Sequence, residues 1–140
     1  ADMNLALRQP WCSIGSDGSA LAIAGPLRRG NPHPRSFGTF PRVLGVYARD
    51  RGLLTWEDAV RKMTSLNASK IGLVDRGSLR VGAYADITIF DPDRIMDRAT
   101  YESPFAYAEG IDYVIVNGTV VFDDGQPMPH RPGRPLRKGK

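Results

Sequence analysis

A chain of 140 residues, 41% of them hydrophobic, can bury one core and is too apolar for bulk disorder. No run approaches the roughly 20 apolar residues of a membrane helix, residues 1–9 lack the order of a signal peptide, and a single cysteine, Cys12, excludes an internal disulfide or cysteine metal cluster. The net charge of +4 is confined: the last fifteen positions hold Arg131, Arg134, Arg137, Lys138 and Lys140 and no acid, leaving the first 125 one charge negative. A soluble, cytoplasmic protein is expected, with no membrane and no nucleic-acid partner, since a basic tail is not a basic face.

Residues 2–9 read as the end of a helix stopped by Pro10. Trp11 to Gly15 is a short buried run of strand character, and residues 16–38 form a long irregular loop of the kind that carries function. Phe40 to Arg51 regains helical spacing, with Val43, Leu44 and Tyr47 on one side. A second helix is signalled more fully: Thr55 as N-cap, Glu57 and Asp58 in its first turn, Ala59, Val60, Met63 and Leu66 facing a core, Gly72 at its end.

Beyond Gly72 the texture becomes strands and turns. Leu79 to Val81 reads as a short strand. Ala85 to Asp91 alternates, with Ile87 and Ile89 on one face and Thr88 on the other, and Asp91-Pro92-Asp93 ends it. Two β-branched runs between Tyr113 and Phe122 are joined by Asn117-Gly118, the pair suited to a type I′ turn. The expected organisation is residues 1–72, 73–125 and a Pro-rich basic tail over 126–140. A lone strand at 11–15 cannot satisfy its own backbone groups, so a further part of the protein is expected to flank it.

The chemistry centres on Gly15-Ser16-Asp17-Gly18, where the buried run opens into the long loop. Strand C-termini carry the catalytic groups of strand-and-helix barrels, and small neighbours leave the Asp17 carboxylate room to meet a ligand. Ser-Asp-Gly is also an ordinary turn sequence. His33 stands between Pro32 and Pro34 in the loop, where Arg28 and Arg29 have the paired donors that suit a carboxylate. No phosphate-binding glycine loop is present, and His33 and His130 lie too far apart in sequence for a histidine metal site.

Three stretches carry a resemblance over nearly the whole chain. Gly15-Ser16-Asp17-Gly18 with the run from His33-Pro34-Arg35-Ser36-Phe37-Gly38-Thr39-Phe40-Pro41-Arg42 to Gly45 resembles the region around the eighth barrel strand of the N-acyl-D-amino-acid deacylase (D-aminoacylase) family. The run from Gly77 to Asp91, with its Gly82-Ala83-Tyr84-Ala85-Asp86 core, is similar to the segment that leads from the barrel of many amidohydrolases into a small β-domain, and Val116-Asn117-Gly118 to the hairpin after it. Thr100-Tyr101-Glu102 and Arg131-Pro132-Gly133-Arg134 narrow the resemblance to the D-aminoacylase branch.

The resemblance implies an α/β fold: the C-terminal end of a (β/α)8 amidohydrolase barrel, with its last strand and helices, followed by part of a small β-sandwich domain. It implies a zinc-dependent hydrolase cleaving N-acyl-D-amino acids, with Asp17 as the acid/base and a metal ligand, Arg28 facing the substrate carboxylate and His33 shaping the substrate site. The other metal ligands of the family belong to earlier strands, so the partner expected is the N-terminal portion of the same enzyme, and the chain alone is expected to be inactive. Amidohydrolases of cyclic amides or dipeptides, similar to dihydroorotases and hydantoinases, and a non-catalytic β-rich binding module remain alternatives.

Overall fold

The computed structural model of the chain describes residues 2–137. Helix α1 (Asp2–Arg8) ends two residues before Pro10, as the missing proline N–H requires. The run after it, expected to be buried, has Trp11 67% exposed and Gly15 exposed, and it forms no ladder because no strand among the described residues lies beside it. Ile14 is nevertheless buried, and two short helices, α3 (Trp56–Met63) and α4 (Ser65–Ile71), take the place of neighbouring strands. Ile14 N–H donates to the Lys62 carbonyl at 3.1 Å. Side chains supply the remaining donors: Arg61 to Pro10 O at 2.7 Å, Lys62 to Gln9 O and Cys12 O, Lys70 to Trp11 O at 2.7 Å, and Asn67 to Ile14 O at 2.8 Å. Backbone carbonyls outside a ladder need other partners, and here polar side chains of a helix pair provide them.

The loop that follows contains one turn of 3-10 helix (Gly25–Leu27). Helix α2 begins at Arg35, five residues earlier than the apolar spacing indicates, and runs to Arg42 with Pro41 inside it. Pro41 cannot return an N–H to the preceding turn, and beyond it the helix widens into a π-helix over Val43–Asp50. This segment approaches the turn after the first strand so closely that a Cβ on Gly45 would lie 2.4 Å from the Ile95 carbonyl oxygen.

Thr55 caps α3 by accepting the Asp58 N–H at 3.2 Å, and Gly72 closes α4 at φ 78°. The single helix read between those caps is two. Its break falls at Thr64, whose hydroxyl donates to the Val60 carbonyl at 2.7 Å and whose backbone leaves helical geometry at φ −124°, ψ −91°. Gly77 packs into the break: a Cβ there would meet the Ala68 Cβ at 2.8 Å. Val60, assigned to the core by spacing, is exposed.

Four antiparallel strands form a meander in chain order: β1 (Ile87–Phe90), β2 (Ile111–Val116), β3 (Thr119–Asp123) and β4 (Gln126–Pro127). Asn117 at φ 49° and Gly118 at φ 80° join β2 to β3, the pair of positive φ values a type I′ turn demands. One expectation fails. Residues 79–81 form no strand; Leu79 and Val81 stand 80% and 101% exposed, with no strand to pair with among the described residues. Ile87 and Ile89 do share a face, pairing in unbroken register with Ile115 and Tyr113; the register shifts only beyond Ile89, which stands 45% exposed.

The Gly82–Asp86 run and the Asn117 turn are one unit. Asp86 Oδ1 accepts the Asn117 N–H, and Gly118 N–H donates to Ala85 O at 2.9 Å. Arg76 pairs with Asp86, donates to Asn117 Oδ1 at 2.7 Å and stacks over Tyr84. Residues of the basic tail take part as well, with Asn117 Nδ2 donating to Pro132 O at 2.7 Å.

The core lies between the helices and the sheet: Ile14, Val43, Leu44, Ala48, Leu54, Ala59 and Ile95, with Trp56 and Phe90 packed against it. Arg49 binds the β1 exit, donating to the carbonyls of Asp93 and Ile95 at 3.0 Å each. Among the described residues no helix is long and apolar enough to cross a membrane.

Candidate active site

Asp17 sits at φ 48°, a left-handed conformation that side-chain-bearing residues seldom adopt, and its side chain is 86% exposed. The start of α2 holds it there. Arg35 Nη2 forms an ion pair with Asp17 Oδ2 at 2.7 Å, and Arg35 Nε donates to the Asp17 carbonyl oxygen at 3.1 Å. Gly18 rests against the same helical turn, where a Cβ would lie 2.9 Å from Ser36 Cα, and its N–H donates to Ser16 Oγ at 3.2 Å. The turn is therefore docked on α2 with its carboxylate facing outward.

His33 is engaged at both ring nitrogens. Nδ1 accepts the Arg35 backbone N–H at 3.0 Å, and Nε2 lies 2.8 Å from the Tyr101 hydroxyl. A neutral imidazole accepting at Nδ1 carries its proton on Nε2, so the ring donates to Tyr101. The two rings meet edge to face at 5.0 Å.

Arg28 stacks its guanidinium 4.3 Å above the Phe105 ring, a contact that leaves the N–H edge of the group available. From Phe105 the aromatic contacts continue through Phe37 and Tyr107 to Phe122 on β3, with centroids 5.8–6.1 Å apart. The loop bearing Arg28 is thus tied to the sheet through α2.

A cleft beside His33 is lined by Arg35, Thr39, Arg42, Asp97 and Tyr101. Arg42 donates to Asp97 Oδ2 at 3.0 Å, and this bond holds the guanidinium pKa above its ordinary value. Farther along, Arg98 pairs with Glu109 and holds that carboxyl below the usual carboxylate range.

Of the three residues singled out in the sequence, none is joined to another by a hydrogen bond or ion pair. Asp17 and His33 are linked through Arg35, while Arg28 belongs to the aromatic chain. Reading residue by residue passes over Arg35 and Tyr101, although both lie in stretches that carry the family resemblance; the pairing of His33 with Tyr101 spans 68 positions, and no local pattern discloses it. No group of three or more His, Cys, Asp or Glu side chains converges among the described residues. Asp17 fits a metal as one outward-facing oxygen donor and not as a complete site.

A sequence model of the amidohydrolase family matches residues 3–122. The chain belongs to that family. It is 50% identical over 127 residues to an N-acyl-D-glutamate deacylase of Alcaligenes xylosoxydans xylosoxydans, covering 91% of this chain and 24% of that one. A crystal structure of D-aminoacylase superimposes with a TM-score of 0.87 at 45% identity, over 98% of this chain and 27% of that one. An N-acyl-D-glutamate deacylase from Bordetella bronchiseptica, in complex with zinc and a phosphonate that mimics the tetrahedral intermediate, gives 0.84 at 43% identity, over 97% of this chain and 27% of that one. The chain spans about a quarter of the length of these relatives.

Proposed function

We propose that this chain is the C-terminal part of a zinc-dependent hydrolase that cleaves the amide bond of N-acyl-D-amino acids, releasing a D-amino acid and a carboxylate. The observation that carries the reading is Asp17: an exposed carboxylate on a positive-φ turn braced against α2, within a chain half identical to an N-acyl-D-glutamate deacylase.

In this reading residues 1–72 close a (β/α)8 barrel, residues 73–125 are part of a small β-sandwich, and 126–140 are a tail whose first two residues add β4 to the sheet. The run from Trp11 to Gly15 is the last barrel strand, whose partners lie in the preceding part of the polypeptide. An apolar groove of about 400 Å³, lined by Phe40, Leu44, Val60, Met63, Leu79 and Ile87 among others, supports the same idea, because a groove of that character needs covering.

Asp17 takes the proton of the attacking water and returns it to the leaving amine. It also offers one oxygen to the metal, whose remaining ligands lie in the N-terminal portion. A bound zinc supplies a water acidic enough to ionise near neutral pH. Arg28, its guanidinium face already on Phe105, presents its N–H edge to the substrate carboxylate, and His33 forms part of the wall.

The test uses the full-length polypeptide. Asp17→Asn is expected to lower kcat for N-acetyl-D-glutamate or N-acetyl-D-methionine by about 10²- to 10⁴-fold, the range for losing a general acid/base, with the melting temperature held near the parent's. The 140-residue chain alone is expected to show no turnover; measured hydrolysis by it, or full activity in Asp17→Asn, rules the proposal out.

A further inference from the structure

We infer that Arg35 is the positioning residue for Asp17, and that His33 and Tyr101 act by holding Arg35 in place. The inference rests on the reading of Asp17 given above.

One arginine grips a single residue at two points: the ion pair reaches the carboxylate oxygen Oδ2, and the Nε hydrogen bond reaches the main-chain oxygen. Together they tie the direction of the side chain to the backbone of the turn. Neither contact takes Oδ1, to which no hydrogen bond is made, so one carboxylate oxygen is restrained while the other stays available for a proton. The restraint is needed because nothing else holds this side chain. Asp17 is 86% exposed, sits on a backbone conformation that non-glycine residues seldom adopt, and is preceded and followed by small residues that offer no packing.

Arg35 is itself set in place. Its N–H donates to His33 Nδ1 at 3.0 Å, its carbonyl accepts the Thr39 hydroxyl at 3.0 Å, and His33 is anchored in turn by Tyr101 at 2.8 Å. The close approach of Gly18 to Ser36 Cα fixes the distance between the turn and α2, so the arginine reaches Asp17 without spanning a gap. Residues from the loop, α2 and the segment before β2 therefore converge on the orientation of one carboxylate. His33, with both ring nitrogens committed, serves the site through Arg35 rather than by binding substrate.

Removing the guanidinium should release the carboxylate without removing it. In the full-length polypeptide, Arg35→Ala is expected to lower kcat by about 10- to 100-fold, the scale on which misplacement of a reacting group acts, with KM within about twofold of the parent. Arg35→Lys keeps the charge but not the two-point grip and is expected to fall between the two; it decides the matter if Arg35→Ala loses its zinc or its cooperative melting. Millimolar guanidinium is expected to restore part of the kcat of Arg35→Ala and none of that of Asp17→Asn, a response that loss of folding would not produce.

A rise in KM matching or exceeding the fall in kcat would place Arg35 on the substrate and overturn the inference. So would parent-level kcat in both Arg35 variants while Asp17→Asn is inactive. Activity retained by Asp17→Asn overturns instead the reading of Asp17 on which the inference rests.

Discussion

Asp86 Oδ1 accepts the backbone N–H of Asn117 at 2.8 Å, across 31 positions of sequence. The carboxylate thereby fixes the end of the β2–β3 hairpin to the run that enters β1, and its other oxygen pairs with Arg76, whose side chain is 8% exposed. The Gly-Ala-Tyr-Ala-Asp run and the Val-Asn-Gly hairpin, two separate pieces of the family resemblance, are thus two sides of one contact.

Asp86→Ala should accordingly cost about 2–3 kcal/mol, the scale for losing charge-assisted hydrogen bonds and stranding a buried partner. Asp86→Asn retains an acceptor for the Asn117 N–H and loses less. Urea unfolding of both variants beside the parent measures the difference; equal midpoints for Asp86→Ala and the parent would show that the junction contributes nothing.

Lys62 is fully buried, and its ammonium donates to the carbonyls of Gln9 and Cys12, with Asp58 Oδ2 at 3.6 Å. Lys62→Met preserves most of the volume and leaves those carbonyls without donors. A loss of about 1–3 kcal/mol is expected from acceptors left without donors, Asp58 keeping its ion pair with Arg61, and is read as a fall in melting temperature. Hydrogen exchange localises the effect: the Ile14 amide, bonded to the Lys62 carbonyl, should exchange faster in the variant.

Glu109 carries a pH prediction. Its hydrogen bond with Arg98 lowers the carboxyl pKa in the folded chain, so the native state stays ionised at a pH where the unfolded chain has begun to take up protons. The stabilisation is present above the unfolded pKa and is lost as pH falls through the folded one. Both side chains are about half exposed, so the effect is small and screened by salt. A carbon-detected titration should find Glu109 protonating below the usual carboxylate range, and Arg98→Ala should return it to that range.

What the sequence determined by itself is local. Pro10 ends α1 because it lacks an N–H, Thr55 and Gly72 mark the helix ends because a hydroxyl and a positive φ serve those positions, and Asn117-Gly118 makes the hairpin because both residues tolerate positive φ. Asp17 stands out in the sequence through a motif whose meaning comes from the family it resembles, and its proposed role rests on that resemblance. Tertiary structure decided the rest. Trp11–Gly15 and residues 79–81 have strand composition, but a strand exists only with a neighbour to bond to, and none is beside them among the described residues. The break at Thr64 has Gly77 pressed against it, and the bulge beyond Ile89 exists only through the pairing of β1 with β2. Arg35 meets Asp17 across 18 positions, and Tyr101 meets His33 across 68. Residue type and spacing set which local geometries are cheap; only packing brings distant donors and acceptors within hydrogen-bonding reach.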